Sequence, residues 1–299
     1  MAKNSVDEWS TVVADNTDIG SIGIQGTSPV SNFDNAFQTM MAQVRTKFDS
    51  LAVANIPPGY LHGLTMSNNA TDATNDIDVQ SGIAASQDQT TRMVLASVIT
   101  KRLDAAWAVG TGNGGLDTGT VSDQTYHVYL IHRPDTSVTD VIFSASSSMP
   151  TLPTNYTKYR RIGSIVRSGS TIVPFYQIGD RFMYKTEISA YSSTAATGGT
   201  AVNMSVPTGL VVHPIFRQAQ QQGTAGQVVT SFSDGVSGAI ERAIAITNLA
   251  SEFENISIDG DFATNTSAQL TIVVSIGSGT LSTNQTRVQG WYDRRGRDT

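Results

Sequence analysis

Thr125-Tyr126-His127-Val128-Tyr129-Leu130-Ile131-His132 and Asp140-Val141-Ile142-Phe143-Ser144, joined through a turn at Arg133-Pro134-Asp135, read as two β-strands. Both runs are rich in β-branched and aromatic residues and are bounded by turn formers. Working outward, Arg161-Ile162-Gly163-Ser164-Ile165-Val166-Arg167 and Thr171-Ile172-Val173-Pro174-Phe175-Tyr176-Gln177 flank Ser168-Gly169-Ser170, a hairpin signal. Pro174 lacks a backbone N–H and pushes the second strand toward an edge. Arg181-Phe182-Met183-Tyr184-Lys185 alternates as a further strand, and so does Ile77-Asp78-Val79 upstream. Thr90 to Leu103 fits strand or helix equally. After the Ser/Thr/Ala/Gly run Ser192 to Gly199 the pattern resumes at Ala201–Val206, Val211–Arg217, Ala239–Asn248, Glu254–Ile258 and Gln269–Ile276. The last is nearly continuous and is expected to be buried.

The N-terminal region differs. A polar lead containing Trp9 and a glycine-punctuated stretch, Asp18 to Gly26, precede one amphipathic segment from Ser28-Pro29 to about Leu51. Its apolar residues Phe33, Phe37, Met40, Val44 and Leu51 are spaced four, three, four and seven apart. That is an a/d stripe of period 3.5 whose one polar position is Lys47, with Phe48 beside it. Ser28 or Ser31 can cap the start and Pro29 suits a first turn. The segment is either a helix lying on its own domain or a short coiled-coil stalk. Ala54-Asn55-Ile56-Pro57-Pro58-Gly59-Tyr60 ends it and marks the clearest linker.

The fold class expected is therefore mostly β. An extended arm plus α-helix (1–54) precedes a β body (55–191) and a C-terminal β-sandwich or jelly-roll-like domain (192–299).

Bulk composition narrows the function. The 299 residues are 39% hydrophobic and only 15% charged, against about 25% charged in typical soluble domains. A net charge of −6 disfavours general nucleic-acid binding, which needs a basic surface. The absence of cysteine excludes disulfides, thiolate nucleophiles and Cys-ligated zinc. No apolar signal core follows Lys3, and no segment approaches the ~18 apolar residues of a membrane span. Assembly in a cytoplasm, without membrane insertion, is the expectation.

Few groups suggest chemistry. Asp72, Asp76 and Asp78, with Asn75, offer hard oxygen ligands of the kind calcium takes; the bland alternative is a set of Asx turns. Gly110-Thr111-Gly112-Asn113-Gly114-Gly115 lacks the following helix and the lysine of a phosphate-binding loop, and reads as a tight β connection. His127 and His132, five apart on one strand, point to opposite faces. Trp107, Tyr126 and Tyr129 are candidate glycan contacts, since aromatic faces stack on sugar C–H groups; core packing is the plainer reading. No nucleophile elbow is present. No catalytic residue, metal ligand set or cofactor is assigned.

Several stretches resemble tail-fibre and tail-associated structural proteins of tailed bacteriophages and prophages. They are the arm-plus-helix order with Phe33-Asp34-Asn35-Ala36-Phe37-Gln38-Thr39-Met40-Met41-Ala42-Gln43-Val44, then Gly63 to Val79, Leu103 to Asp117, and Met149-Pro150 to Ile165. The short Gly290-Trp291 to Gly296-Arg297 is similar to fibre C-termini. Residues 190–290 carry no such resemblance. It implies a non-enzymatic virion protein, located in the tail and commonly a homotrimer. The helix would oligomerise or attach the chain, the arm would dock on other tail proteins, and a β domain would meet a host-surface glycan or protein. A capsid decoration or head-fibre protein shares the same parts, and a glycan depolymerase or esterase is the enzymatic alternative.

Overall fold

The computed structural model describes residues 3–10, 12–54, 57, 59–236 and 241–297. Half of the chain is strand and 8% is helix, so the mostly-β expectation holds. The chain divides into two compact units: residues 1–58 with Gln89–Arg92, and the remainder from Gly59.

The first unit is an arm, a two-stranded ribbon and one helix. Short 3₁₀ turns at Val6–Glu8 and Val13–Asp15 lead into Asp18–Ile19, which pairs antiparallel with Ile22–Gly23. The helix spans Asn32–Ala54, starting three residues after Pro29. Asp34 in its first turn complements the positive end of the helix dipole. Of the expected linker, Asn55, Ile56 and Pro58 lie outside the described residues.

The second unit is a set of sheets around one main core. Its eight-stranded sheet runs in the order Thr171–Ile172, Lys158–Ser168, Thr125–Arg133, Val138–Ser144, Asn113–Leu116, Ile99–Ala106, Asp76–Val79, Met66–Asn68. The hairpin signal at Ser168-Gly169-Ser170 is realised, but only for two residues. Beyond Pro174 the chain leaves this sheet, and Phe175–Ile178 pairs with Arg181–Ser192 in another. The ambiguous Thr90–Leu103 stretch resolves into two strands, Arg92–Leu95 and Ile99–Ala106.

A five-stranded sheet, Phe175–Ile178, Arg181–Ser192, Thr280–Tyr292, His213–Thr224, Phe253–Asp259, is matched by a four-stranded one. The latter is ordered Thr197–Asn203, Gln269–Ile276, Val228–Ser233, Glu241–Thr247. Ala239 and Ile240, part of an expected strand, lie outside the described residues. Gln269–Ile276 buries alternate side chains rather than all of them, because it lies in an antiparallel sheet with one covered face.

Residues 55–191 and 192–299, expected as separate domains, share the five-stranded sheet and one hydrophobic core. Arg181–Ser192 pairs with the last strand, so Phe182 stacks on Trp291 with ring centroids 5.1 Å apart and planes 8° from parallel. The break expected at Ser192 to Gly199 shrinks to residues 193–196 between two strands.

Candidate functional site

Ion pairs fix the β unit, and they explain several residues that stand out in the sequence. Lys101 is fully buried, its Nζ 3.2 Å from Asp140 Oδ1. The same Nζ donates to Ala108 O at 2.6 Å and Gly110 O at 3.2 Å, and lies 5.3 Å from the Trp107 ring centroid. Asp140 accepts from Gly110 N–H at 2.7 Å and Val141 N–H at 2.6 Å. Burial lowers the Lys101 ammonium pKa, and Asp140 opposes that shift. The glycine-rich loop is thus wrapped around the protein's own lysine. A Cβ on Gly115 would sit 2.7 Å from the Phe143 ring, so glycine serves close strand approach here, and the connection is the tight β turn expected.

A second buried network holds the C-terminal tail. Arg161 grips Asp293 through two 2.6 Å bonds. Burial would raise the Asp293 carboxyl, but Arg161 overrides it and holds the group below its usual range. Arg295 donates to the carbonyls of Ile162, Gly63 and Leu64; its burial brings the guanidinium down to about 10. His127 Nδ1 lies 2.9 Å from Ser164 Oγ, which also accepts from Arg161. Burial, and then the neighbouring Arg161, lowers His127 to about 4. No sequence motif announced these pairings, because their members lie up to 232 positions apart.

The candidate cation ligands are engaged locally. Asp72 Oδ1 accepts from the N–H groups of Thr74 and Asn75, and Asp78 Oδ1 accepts from Asn69 Nδ2 and Thr100 Oγ1. Burial, then repulsion from Asp72, raises the Asp76 carboxyl. Asp72 forms an Asx turn, as in the bland reading, whereas Asp76 and Asp78 lie on the strand Asp76–Val79. Among the described residues no group of three His, Asp or Glu side chains is placed to hold a metal ion.

The candidate glycan contacts correct the sequence reading. Tyr126 and Tyr129 are buried, three apart on one strand and so on opposite faces. Tyr126 Oη accepts from Ser122 N–H, and Tyr129 Oη donates to Ser146 O. Trp107 is half-buried, edge-on to Tyr156, with its indole N–H on Val141 O. The three cannot form one stacking platform.

The helix of the first unit offers the larger exposed feature. The arm is seated on its polar side: Trp9 Nε1 donates to Gln43 Oε1 at 3.1 Å, Gln43 Nε2 to Lys3 O at 3.0 Å, and Lys47 Nζ to Asp7 Oδ1 at 2.5 Å. The ribbon closes against the same side. Gly20 N–H donates to Lys3 O, and a Cβ on Gly20 would come within 2.7 Å of Thr39 Cγ2. A cleft of about 360 Å³ remains between arm and helix, lined among others by Ser5, Thr39, Gln43 and Thr46.

The apolar side of the helix is left uncovered. Phe33, Phe37, Met41 and Phe48 are 67%, 49%, 66% and 66% exposed. The Phe33 and Phe37 ring centroids are 5.3 Å apart. Met40 and Val44 are half-buried, and the side chain of Leu51 lies outside the described residues. The structure therefore groups the expected Phe33, Phe37, Met40 and Val44 along one side and adds Met41 and Phe48. Their signal in the sequence was apolar residues immediately flanking the seam. At 150–250 Å² for a buried aromatic side chain, the four most exposed residues offer about 500 Å² of apolar surface. That lies near the upper end of what an ordinary monomer shows.

No family model matches the chain, and no curated protein matches it. Solved structures do match. They include infectious bursal disease virus, Gx strain, at 12% identity over 80% of this chain and 74% of that one, with a TM-score of 0.21. The VP2 subviral particle of the same virus matches at 11% identity over 78% and 71%, with a TM-score of 0.23. A family 29 carbohydrate-binding module matches at 8% identity over 45% and 78%, with a TM-score of 0.16. These scores lie far below that of a shared fold, and they leave function to the chain's own geometry.

Proposed function

We propose that this chain is a structural protein of a tailed-phage virion, a tail fibre or tail-associated protein that works by assembly and attachment and not by turnover. The observation that carries this reading is the uncovered stripe Phe33–Phe37–Met41–Phe48 on a helix whose polar side is already occupied by the arm. A single chain gains little from ordering such a helix, whereas a bundle removes the stripe from water at roughly 25 cal/mol per Å². Phe33 and Phe37 also belong to the 3.5-residue seam with Met40 and Val44, a spacing that fits an identical helix, and Met41 and Phe48 flank that seam. The sequence resemblance to fibre proteins supports three copies and a location in the virion tail. The N-terminal unit then joins the copies or anchors them on other tail proteins, and the β unit is the part displayed toward a host glycan or protein. Several weak contacts on one particle would act together through effective concentration.

Light scattering on the full-length chain tests this. The expected mass is three times the 31.8 kDa of one chain. Phe37→Ser combined with Phe48→Ser should reduce it to a monomer whose β unit melts unchanged. A wild-type chain that stays monomeric at all accessible concentrations would overturn the reading.

A further inference from the structure

Resting on the attachment reading of the β unit, we infer that the outer face of the five-stranded sheet is a platform for an acidic glycan, with Arg287 as the residue that takes the sugar carboxylate. The strands Thr280–Tyr292 and His213–Thr224 place Arg287 directly opposite Arg217. Like charges facing each other across two strands destabilise a sheet, so this pair does not serve the fold.

One of the two cations is already offset. Arg217 Nε donates to both carboxylate oxygens of Glu187 at 2.9 Å, and Gln289 Nε2 donates to the same carboxylate at 2.9 Å. The hydrogen bond from Arg217 is the first cause that holds the Glu187 carboxyl below its usual range, so it stays ionised. Arg287 makes no ion pair among the described residues. Its Nη2 and Nε donate to the neutral Gln285 Oε1 at 3.0 and 3.3 Å, and it reaches Glu187 only by longer-range attraction. The row thus carries one positive charge more than Glu187 offsets. A guanidinium fork matches a carboxylate with two parallel hydrogen bonds.

Beside the arginines the face is neutral. In the next row Gln285, Ala219 and Asn255 lie in register on three adjacent strands. The short Ala219 side chain is buried between two amides, whose donors and acceptors suit sugar hydroxyls. One row further, Phe253 lies opposite Gln221 and is 55% exposed. Its ring offers an apolar face to sugar C–H groups. From Arg287 to Phe253 the platform runs about 13 Å along the strands and about 10 Å across them. That diagonal suits an oligosaccharide with a carboxylate at one end and exceeds a simple anion. The net charge of −6 disfavours a nucleic-acid strand as the occupant.

The test is titration calorimetry on the full-length protein with two acidic probes, tetragalacturonate and a sialic acid tetramer. The controls are the methyl esters of both probes and inorganic phosphate, and the solution mass is measured in the same samples. At least one acidic probe should bind at least about tenfold more tightly than its ester and than phosphate. Arg287→Gln should weaken that binding about tenfold, and Arg287→Lys, which keeps the charge but loses the fork, about threefold. Phe253→Ser should weaken it about threefold. Thermal unfolding of Arg287→Gln should match the wild type or rise, because one of two opposed cations is gone. Absence of binding by both acidic probes, equal binding of ester or phosphate, or binding unchanged by Arg287→Gln each overturns the inference. A trimer that fails to bind overturns this inference alone, whereas a monomer that binds overturns the assembly reading and leaves the platform standing.

Discussion

The two units of this chain treat apolar side chains in opposite ways. In the β unit, Trp291, Phe182, Phe216, Phe232 and Phe262 are wholly buried, and one hydrophobic core runs from Leu64 to Trp291. Among the described residues of the N-terminal unit, Ala36 is the single buried apolar residue, while Phe33, Phe37, Met41 and Phe48 face outward. The first arrangement covers its own large apolar side chains. The second makes sense when its apolar surface is covered, because burial of apolar area is the dominant favourable term in folding and in association alike. The difference separates a body whose core is internal from a segment whose apolar stripe stays exposed in the single chain.

The largest effect that would test this contrast lies inside the β unit. Asp140→Ala leaves the buried Lys101 ammonium without its counter-charge. It should cost about 3–5 kcal/mol in a denaturant melt. A loss below about 1 kcal/mol would mean that the loop around Trp107 relaxes enough to hydrate the lysine.

Acid should weaken the same unit next. His127 is lowered to about 4 in the fold from 6.5, so between those values the unfolded chain binds a proton that the native chain does not. Stability is complete above pH 6.5 and falls as the pH drops toward 4, by about 3 kcal/mol from this residue. His127→Gln should remove that part of the slope, measured as unfolding free energy at pH 7 against pH 4. An unchanged slope would place the acid sensitivity elsewhere.

A smaller effect comes from an unexpected interior. The strand His213–Thr224 turns Phe216, Gln218, Gln220 and Gln222 inward on one face. Gln220 Nε2 donates to Thr247 Oγ1 at 2.7 Å and its Oε1 accepts from Thr230 at 2.6 Å; Gln222 Oε1 accepts from Thr247 at 2.6 Å. The sandwich therefore passes from an aromatic to a hydrogen-bonded interior along a single strand. Gln220→Ala strips partners from both threonines and should cost about 1–3 kcal/mol in the same melt. The smallest effect should come from the other unit: Phe37→Ser alone should move the melt of the β unit by no more than about 0.5 kcal/mol while lowering the solution mass. A large loss of β-unit stability would break the contrast between the units.

Local pattern made much of the architecture legible. Strands at Thr125–Arg133 and Val138–Ser144 follow from their β-branched and aromatic runs, and the helix from its spacing. The strand His213–Thr224 was seen only as far as Arg217, because a glutamine run carries no apolar alternation. Its burial is set by threonines on the facing sheet. The candidate site was half legible. The stripe could be read from Phe33, Phe37, Met40 and Val44, but which side of the helix the arm would cover could not. The aromatic residues suggested for sugar contact show the opposite failure: Tyr126 and Tyr129 look alike on either side of a strand until both faces prove to be covered.

The sequence by itself determined the β class, the N-terminal helix with its apolar seam, and the turn at Asp72, because these depend on neighbours within a few positions. Tertiary structure alone decided that residues 55–191 and 192–299 share a core, that Lys101 meets Asp140 and Arg161 meets Asp293, and that the seam stays open beside Asp7 and Lys47. Those outcomes join residues far apart in the chain. Burial then sets the strength of each pairing through the dielectric around it, and no local window of sequence contains that information.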